Sequence, residues 1–181
     1  MKTIICLVGM PGAGKGEVGK ILQTKGISVT TMSSVPKAEV RKRGLEMNSK
    51  NLDAVAFSLR KEFGKDIVAK RVAGMLAGVK PDVVCVDGVR NIEEIDVLKK
   101  AGNVKIVAIS APVDMRFRRQ IERKDDRDPK NMEEFELRDV RSREFGMEKV
   151  IIIADYKITN NGTIKDLKTK VEKILTDIGH V

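Results

Sequence analysis

The 181-residue sequence has one histidine, two cysteines, no tryptophan and only 3% aromatic residues. The histidine is His180, next to the end, so mechanisms built on a histidine base or several histidine metal ligands are nearly excluded. Cys6 and Cys85 stand 79 positions apart, each inside an apolar run. They form neither a disulfide framework nor a zinc spacing and are expected to be reduced core thiols. So few aromatics argue against a base-stacking nucleic-acid platform. No apolar run approaches the ~20 residues of a membrane span, and no signal peptide pattern opens the sequence. A cytoplasmic protein without a membrane partner is therefore expected. What is present is 41% hydrophobic and 34% charged residues, which excludes a disordered or collagenous chain. Much charge, many Ile and Val, and only two glutamines hint at a thermophilic source.

The net charge of +9 is unevenly placed. Residues 37–80 carry eleven Lys/Arg against five Asp/Glu, whereas residues 114–149 carry eleven of each sign. The basic stretch suits an anionic partner such as a nucleotide, a phosphoester or RNA. A solvated helical surface explains it equally well.

Ile4–Val8 is a continuous apolar run, the pattern of a strand buried on both faces; Val83–Asp87 reads as another buried strand and Val104–Ser110 as a further strand. Ser28–Thr31 and Tyr156–Thr159 read as shorter strands. Helical spacing marks Val18–Leu22, Leu52–Phe63, Ile67–Leu76, Ile92–Leu98 and Ile164–Ile178, the last with Thr163 as its cap. Ser34, ahead of Pro36, reads as the N-cap of a short charged helix. Two further charged helices flank a polar loop at 125–130. Val150–Ile153 is too short to assign to strand or helix end. Strands alternating with helices specify a parallel sheet with right-handed crossovers. The long crossovers at 33–80 and 113–149 follow strand ends, where open α/β sheets bind ligands.

The loop after the first strand, Gly9-Met10-Pro11-Gly12-Ala13-Gly14-Lys15, satisfies G-x-x-x-x-G-K between strand and helix. Glycines let amides turn toward phosphate oxygens, the helix start adds positive charge, and the lysine reaches the outer phosphates. Gly16 and Glu17 follow, where a Ser or Thr hydroxyl would normally hold Mg²⁺. The metal then falls to phosphates, water and carboxylates such as Asp87, which ends the third strand as a Walker-B acid should. Arg90 follows Gly88 and could grip a second phosphate. Arg116, Arg119 and Arg123 share one helical face, and Arg138 and Arg141 repeat the arrangement beyond the polar loop. Such arginines either surround a transferring phosphoryl group or form ion pairs with the acids beside them.

These motifs resemble the nucleoside monophosphate kinases. The glycine loop is similar to that of adenylate kinase, which also has Gly after the lysine, and Asp87-Gly88-Val89-Arg90 resembles their Asp-Gly strand end. Across nearly its whole length the sequence resembles an archaeal family of uncharacterised P-loop proteins related to adenylate and dephospho-CoA kinases. Shared stretches include Val68-Ala69-Lys70-Arg71, Val86–Arg90, Arg138-Asp139 and Ala154-Asp155-Tyr156. The resemblance implies one three-layer α/β P-loop domain over 1–181, with a five-stranded parallel sheet ordered 2-3-1-4-5. It places an acceptor-binding helical insertion at 33–80 and a lid near 124–138. It further implies ATP and Mg²⁺ as cofactors, held by Gly9, Met10, Pro11, Gly12, Ala13, Gly14, Lys15, Gly16 and Glu17. Asp87 would hold the metal through water, and Arg119 and Asn161 would face the adenine. Lys15, Arg90, Arg123, Arg127 and Arg138 are the expected catalytic residues, with Lys37, Arg60 or Arg71 as further anion ligands. Related proteins carry Asp and Arg at the positions of Ser34 and Lys37, and a lysine lacks the guanidinium fork.

The expected function is phosphotransfer from ATP to a small anionic acceptor, a nucleoside monophosphate or a dephospho-CoA-like molecule. The alternatives are a nucleotide-binding switch or slow ATPase, or an RNA-associated adenylate-kinase-like factor. A monomer or small homo-oligomer is compatible with each.

Overall fold

The computed structural model describes residues 2–78, 80, 82–125 and 128–180. Five parallel strands, β1 (Thr3–Val8), β2 (Ser28–Thr31), β3 (Val83–Asp87), β4 (Asn103–Ser110) and β5 (Tyr156–Thr159), lie in the order β2-β3-β1-β4-β5. The central strand β1 pairs with β3 and β4, Cys6 lying opposite Val86 on one side and Ile106 on the other. Its unbroken apolar run follows from that position, because side chains alternate between two covered faces. Ile4, Cys6 and Val8 point into one core, Ile5 and Leu7 into the other.

The first core is closed by α2 (Ser34–Lys42), α3 (Ser49–Phe63), α4 (Ile67–Leu76), α5 (Ile92–Ala101) and α8 (Met147–Ile152). The second is closed by α1 (Lys15–Thr24) and α9 (Ile164–Asp177), through Val18, Ile21 and Leu22 against Leu167, Val171 and Leu175. The remaining helices, α6 (Val113–Arg123) and α7 (Met132–Glu144), follow β4 over the carboxyl edge of the sheet. The fold is thus the three-layer α/β arrangement with strand order 2-3-1-4-5. Both cysteines are free and buried, Cys6 facing one core and Cys85 the other. Among the described residues no helix is long and apolar enough to cross a membrane.

One open assignment closes and one local expectation changes. Residues 150–152 belong to α8, which starts at left-handed Gly146 and buries Met147 and Val150 while Ile152 is exposed. A four-residue apolar run one helical turn long cannot reveal that only one of its sides is covered. Ser34 is not an N-cap but the first residue of α2, and its hydroxyl is buried without a partner among the described residues. Ser33 precedes the helix with helical backbone angles, so neither serine hydroxyl reaches back to a free amide. Pro36 is tolerated because the first-turn nitrogens need no helical partner. Helices α3, α5 and α7 are instead capped by Asn48, Asn91 and Asn131, and Thr163 with Asp166 forms a full capping box.

Candidate functional site

The loop between β1 and α1 is shaped by three glycines with left-handed φ. They also let the loop press against its surroundings. A Cβ on Gly9 would stand 2.2 Å from the Ile109 carbonyl oxygen, one on Gly12 2.5 Å from that of Arg116, and one on Gly14 2.1 Å from Nδ2 of Asn160. Gly16 differs: a Cβ there would meet nothing within 4 Å. Its lack of a side chain is therefore no packing requirement. Glu17 points outward and pairs with Lys20 at 2.7 Å.

Lys15 folds over the loop, donating to the carbonyl oxygens of Gly9 at 2.7 Å and Met10 at 3.4 Å. Burial pulls its pKa down to about 8; Asp87 opposes the shift, while Arg90, Arg138 and Arg123 add to it. Four charged groups from separate parts of the chain therefore act on Lys15. Asp87, at the end of β3, is pushed up by burial and held down by Lys15 and Arg90. Its Oδ1 is buried with no hydrogen-bond partner among the described residues.

Beside Asp87, Arg90 reaches solvent, and among the described residues no hydrogen bond engages its guanidinium. That guanidinium lies 5.7 Å from the Phe145 ring centroid, and Arg60 lies 5.6 Å from the same ring. Glu94, fully buried, accepts from Arg60 Nη2 at 3.0 Å and from the Arg90 amide at 2.8 Å. Arg60 Nε has no hydrogen-bond partner among the described residues. Two guanidiniums thus converge on the Phe145 ring. Arg71 is drawn away, pairing with Glu39 at 3.4 Å and lying over Phe63. Lys37 is half-buried on α2.

The arginines of α6 have three different surroundings. Arg116 is buried in a two-pronged ion pair with Asp139 of α7, at 2.9 and 2.5 Å, and donates to the Pro11 carbonyl at 3.1 Å. Arg119 donates to the carbonyls of Asn160 at 3.1 Å and Ala13 at 3.5 Å. Arg123 is paired with Asp128, which also accepts from Arg138 at 3.1 Å. Burial acts to raise the Asp128 carboxylate, but the bonds from Arg123, the Asp125 amide and Arg138, with the Arg123 charge, together hold it below its ordinary range. Arg141 is exposed, and Arg127 lies outside the described residues.

In the 160–162 turn, Asn160 is buried and donates to the Ala13 carbonyl at 2.9 Å, while Asn161 is exposed. Asn160, Gln120, Asp128, Glu94 and Phe145 are the site residues that spacing alone does not single out. The available signal was weak: Gln120 follows Arg116 by one helical turn, on the same face.

A family model described as an AAA domain matches residues 8–136. A UPF0200 protein of Sulfurisphaera tokodaii is 40% identical over 175 residues, covering 97% of each chain. Another, of Hyperthermus butylicus, is 37% identical over 175 residues, covering 97% of this chain and 94% of the relative. Among solved structures, an Acinetobacter baumannii shikimate kinase in complex with shikimate superposes with a TM-score of 0.63 at 23% identity. It covers 98% of this chain and 95% of that one. A Thermus thermophilus protein gives 0.67 at 19% identity, with 98% of both chains covered. At such identities the structural likeness establishes the P-loop kinase-like fold.

Proposed function

This chain belongs to the UPF0200 family of archaeal proteins, and we propose that it is an ATP-dependent phosphotransferase acting on a small anionic acceptor. One observation carries the reading. Lys15 sits at the glycine loop in the combined field of Asp87, Arg90, Arg123 and Arg138. A transferring phosphoryl group spreads negative charge over three oxygens and needs positive groups from several directions.

The loop suits a polyphosphate because Gly9, Gly12 and Gly14 hold its backbone in turns with positive φ, closely packed against neighbouring elements, a conformation in which backbone amides can face an anion. Lys15 would exchange the two loop carbonyls for the outer phosphate oxygens. Arg119 and the 160–162 turn would border the base, with Asn161 at its exposed edge. Asp87 fits the water shell of a magnesium ion, since its Oδ1 is buried and unpartnered among the described residues. Magnesium, when bound, would neutralise charge on the phosphates. Arg90 and Arg60 would hold the acceptor's anionic group against the helices of 33–80. Arg123 and Arg138 would exchange Asp128 for the oxygens of the transferring group, and the segment near 124–138 would act as a lid that excludes water. Arg127 belongs to the same group of candidates. In the reaction an acceptor oxygen bonds to the γ-phosphorus, the bond to the β–γ bridging oxygen breaks, ADP leaves, and the acceptor's proton passes to solvent.

A coupled assay for ADP, with ATP and Mg²⁺ across nucleoside monophosphates and dephospho-CoA, tests the proposal. Turnover that requires one acceptor and falls at least tenfold in Arg90→Ala is the expected result. Binding of ATP without turnover on any acceptor contradicts it. The exposed Gly16, with no hydroxyl for the metal, favours a second reading as a slow ATPase or nucleotide switch. Acceptor-independent hydrolysis that disappears in Lys15→Ala would support that reading instead.

A further inference from the structure

The Gln120 side chain, fully buried on α6, touches both the glycine loop and an arginine of the opposite helix. Its Nε2 donates to the carbonyls of Pro11 at 3.2 Å and Arg116 at 3.3 Å. Its Oε1 accepts from Arg138 Nη1 at 2.6 Å. This orientation is forced. Two carbonyls can only accept and a guanidinium can only donate, so the amide cannot be reversed without losing all three contacts. No other side chain of that length offers a donor on one prong and an acceptor on the other. A glutamate would set an oxygen against two carbonyls, and an aliphatic chain would offer nothing to either partner.

The Pro11 carbonyl is thereby pinned outward, by Gln120 and by Arg116 Nη1. In a trans peptide the carbonyl and the following N–H point in opposite directions, and no peptide among the described residues is cis. Pinning the Pro11 oxygen therefore aims the Gly12 N–H toward the inside of the loop. The contact is close enough that a Cβ on Gly12 would stand 2.8 Å from Gln120 Nε2. The other end of the same carboxamide fixes Arg138, one of the groups whose field reaches Lys15.

We propose that Gln120 is a positioning residue, which sets one amide of the phosphate loop and the Arg138 guanidinium in register on the same terminal phosphate. The inference rests on the reading of the loop as a nucleotide site. It adds that discrimination between ATP and ADP is built jointly by Gln120 and Arg138. Two groups acting as one unit give non-additive effects, and this distinguishes the relay from a buried residue that only supports packing.

The test is a double-variant cycle of Gln120→Met, Arg138→Ala and both together, in the full-length chain. It reads affinity for ADP and for a non-hydrolysable ATP analogue, with melting temperature measured alongside. Each single variant is expected to lower the ATP-to-ADP affinity ratio about tenfold, the scale of one charge-assisted hydrogen bond. The double variant is expected to fall no further than Arg138→Ala alone. Fold-losses that multiply, or a Gln120→Met protein with a lower melting temperature and an unchanged ratio, would overturn the relay. If Gln120→Met does not fold, Gln120→Glu replaces it in the cycle. That variant keeps the bond to Arg138 but loses the one to Pro11, and a wild-type ratio in it would equally overturn the proposal. A wild-type chain that binds neither nucleotide would remove the functional reading itself, and the relay with it.

Discussion

Lys15→Met is expected to lose nucleotide affinity about a hundredfold and, at neutral pH, to melt at a higher temperature than the wild type. The two effects share one cause. An ammonium enclosed by the loop, with three arginines in range, pays for its charge in the absence of phosphate, as its pKa of about 8 against an ordinary 10.5 records. A shift of that size corresponds to roughly 2–3 kcal/mol of destabilisation once partial solvent access is allowed for. Methionine keeps most of the stem and removes the charge. The affinity loss follows from the charge-assisted bonds to phosphate that disappear with it, each roughly 1.5–3 kcal/mol. The sign of the pH dependence is fixed. The folded pKa lies below the unfolded one, so between pH 8 and 10.5 the unfolded chain binds more protons. The wild type should then gain stability relative to Lys15→Met as the pH rises through that window, and the gap should close near its upper end. Urea titrations of both proteins at pH 7, 9 and 10.5 check this. A variant less stable than wild type at pH 7 would mean that Lys15 is a structural cation.

Asp139→Ala is expected to cost about 3–5 kcal/mol of stability, the scale for removing one partner of a buried ion pair. Arg116 is 5% exposed and Asp139 4%, and without the carboxylate the guanidinium would keep, among the described residues, the Pro11 carbonyl and the face of Phe135. Replacing both partners, as Arg116→Met with Asp139→Leu, should recover most of that loss, because neither charge is then stranded. Nucleotide affinity should not recover with it, since the Pro11 carbonyl has lost one of its two side-chain anchors. Denaturation midpoints and ATP titrations of the single and double variants separate the two quantities. A mild effect of Asp139→Ala would show that Arg116 finds water.

Much of the architecture was legible because its signals are local. The apolar run Ile4–Val8, rich in β-branched residues and closed by a glycine loop, carries the pattern of a doubly covered strand, and a glycine loop between strand and helix has few other uses. Thr163 marks a helix boundary that the structure retains. Partners distant in sequence were not legible. Helical spacing groups Arg116, Arg119 and Arg123 on one face, but cannot tell that the first is neutralised by Asp139, 23 residues on. Nor can it tell that the second braces Asn160 and the third holds Asp128. Asn160 and Asn161 are chemically identical neighbours; the hydrogen bond from the Asn160 amide to the Ser110 carbonyl anchors one of them beside the glycine loop. Gln120 looks like an ordinary polar residue among arginines until the loop carbonyl on its other side is known.

The most direct measurement is a crystal structure with a non-hydrolysable ATP analogue and Mg²⁺. The account predicts phosphate oxygens within hydrogen-bond distance of the amides from Gly12 to Lys15, and Lys15 Nζ moved from the Gly9 carbonyl onto phosphate. A nucleotide bound elsewhere, with Lys15 still on Gly9, would contradict it.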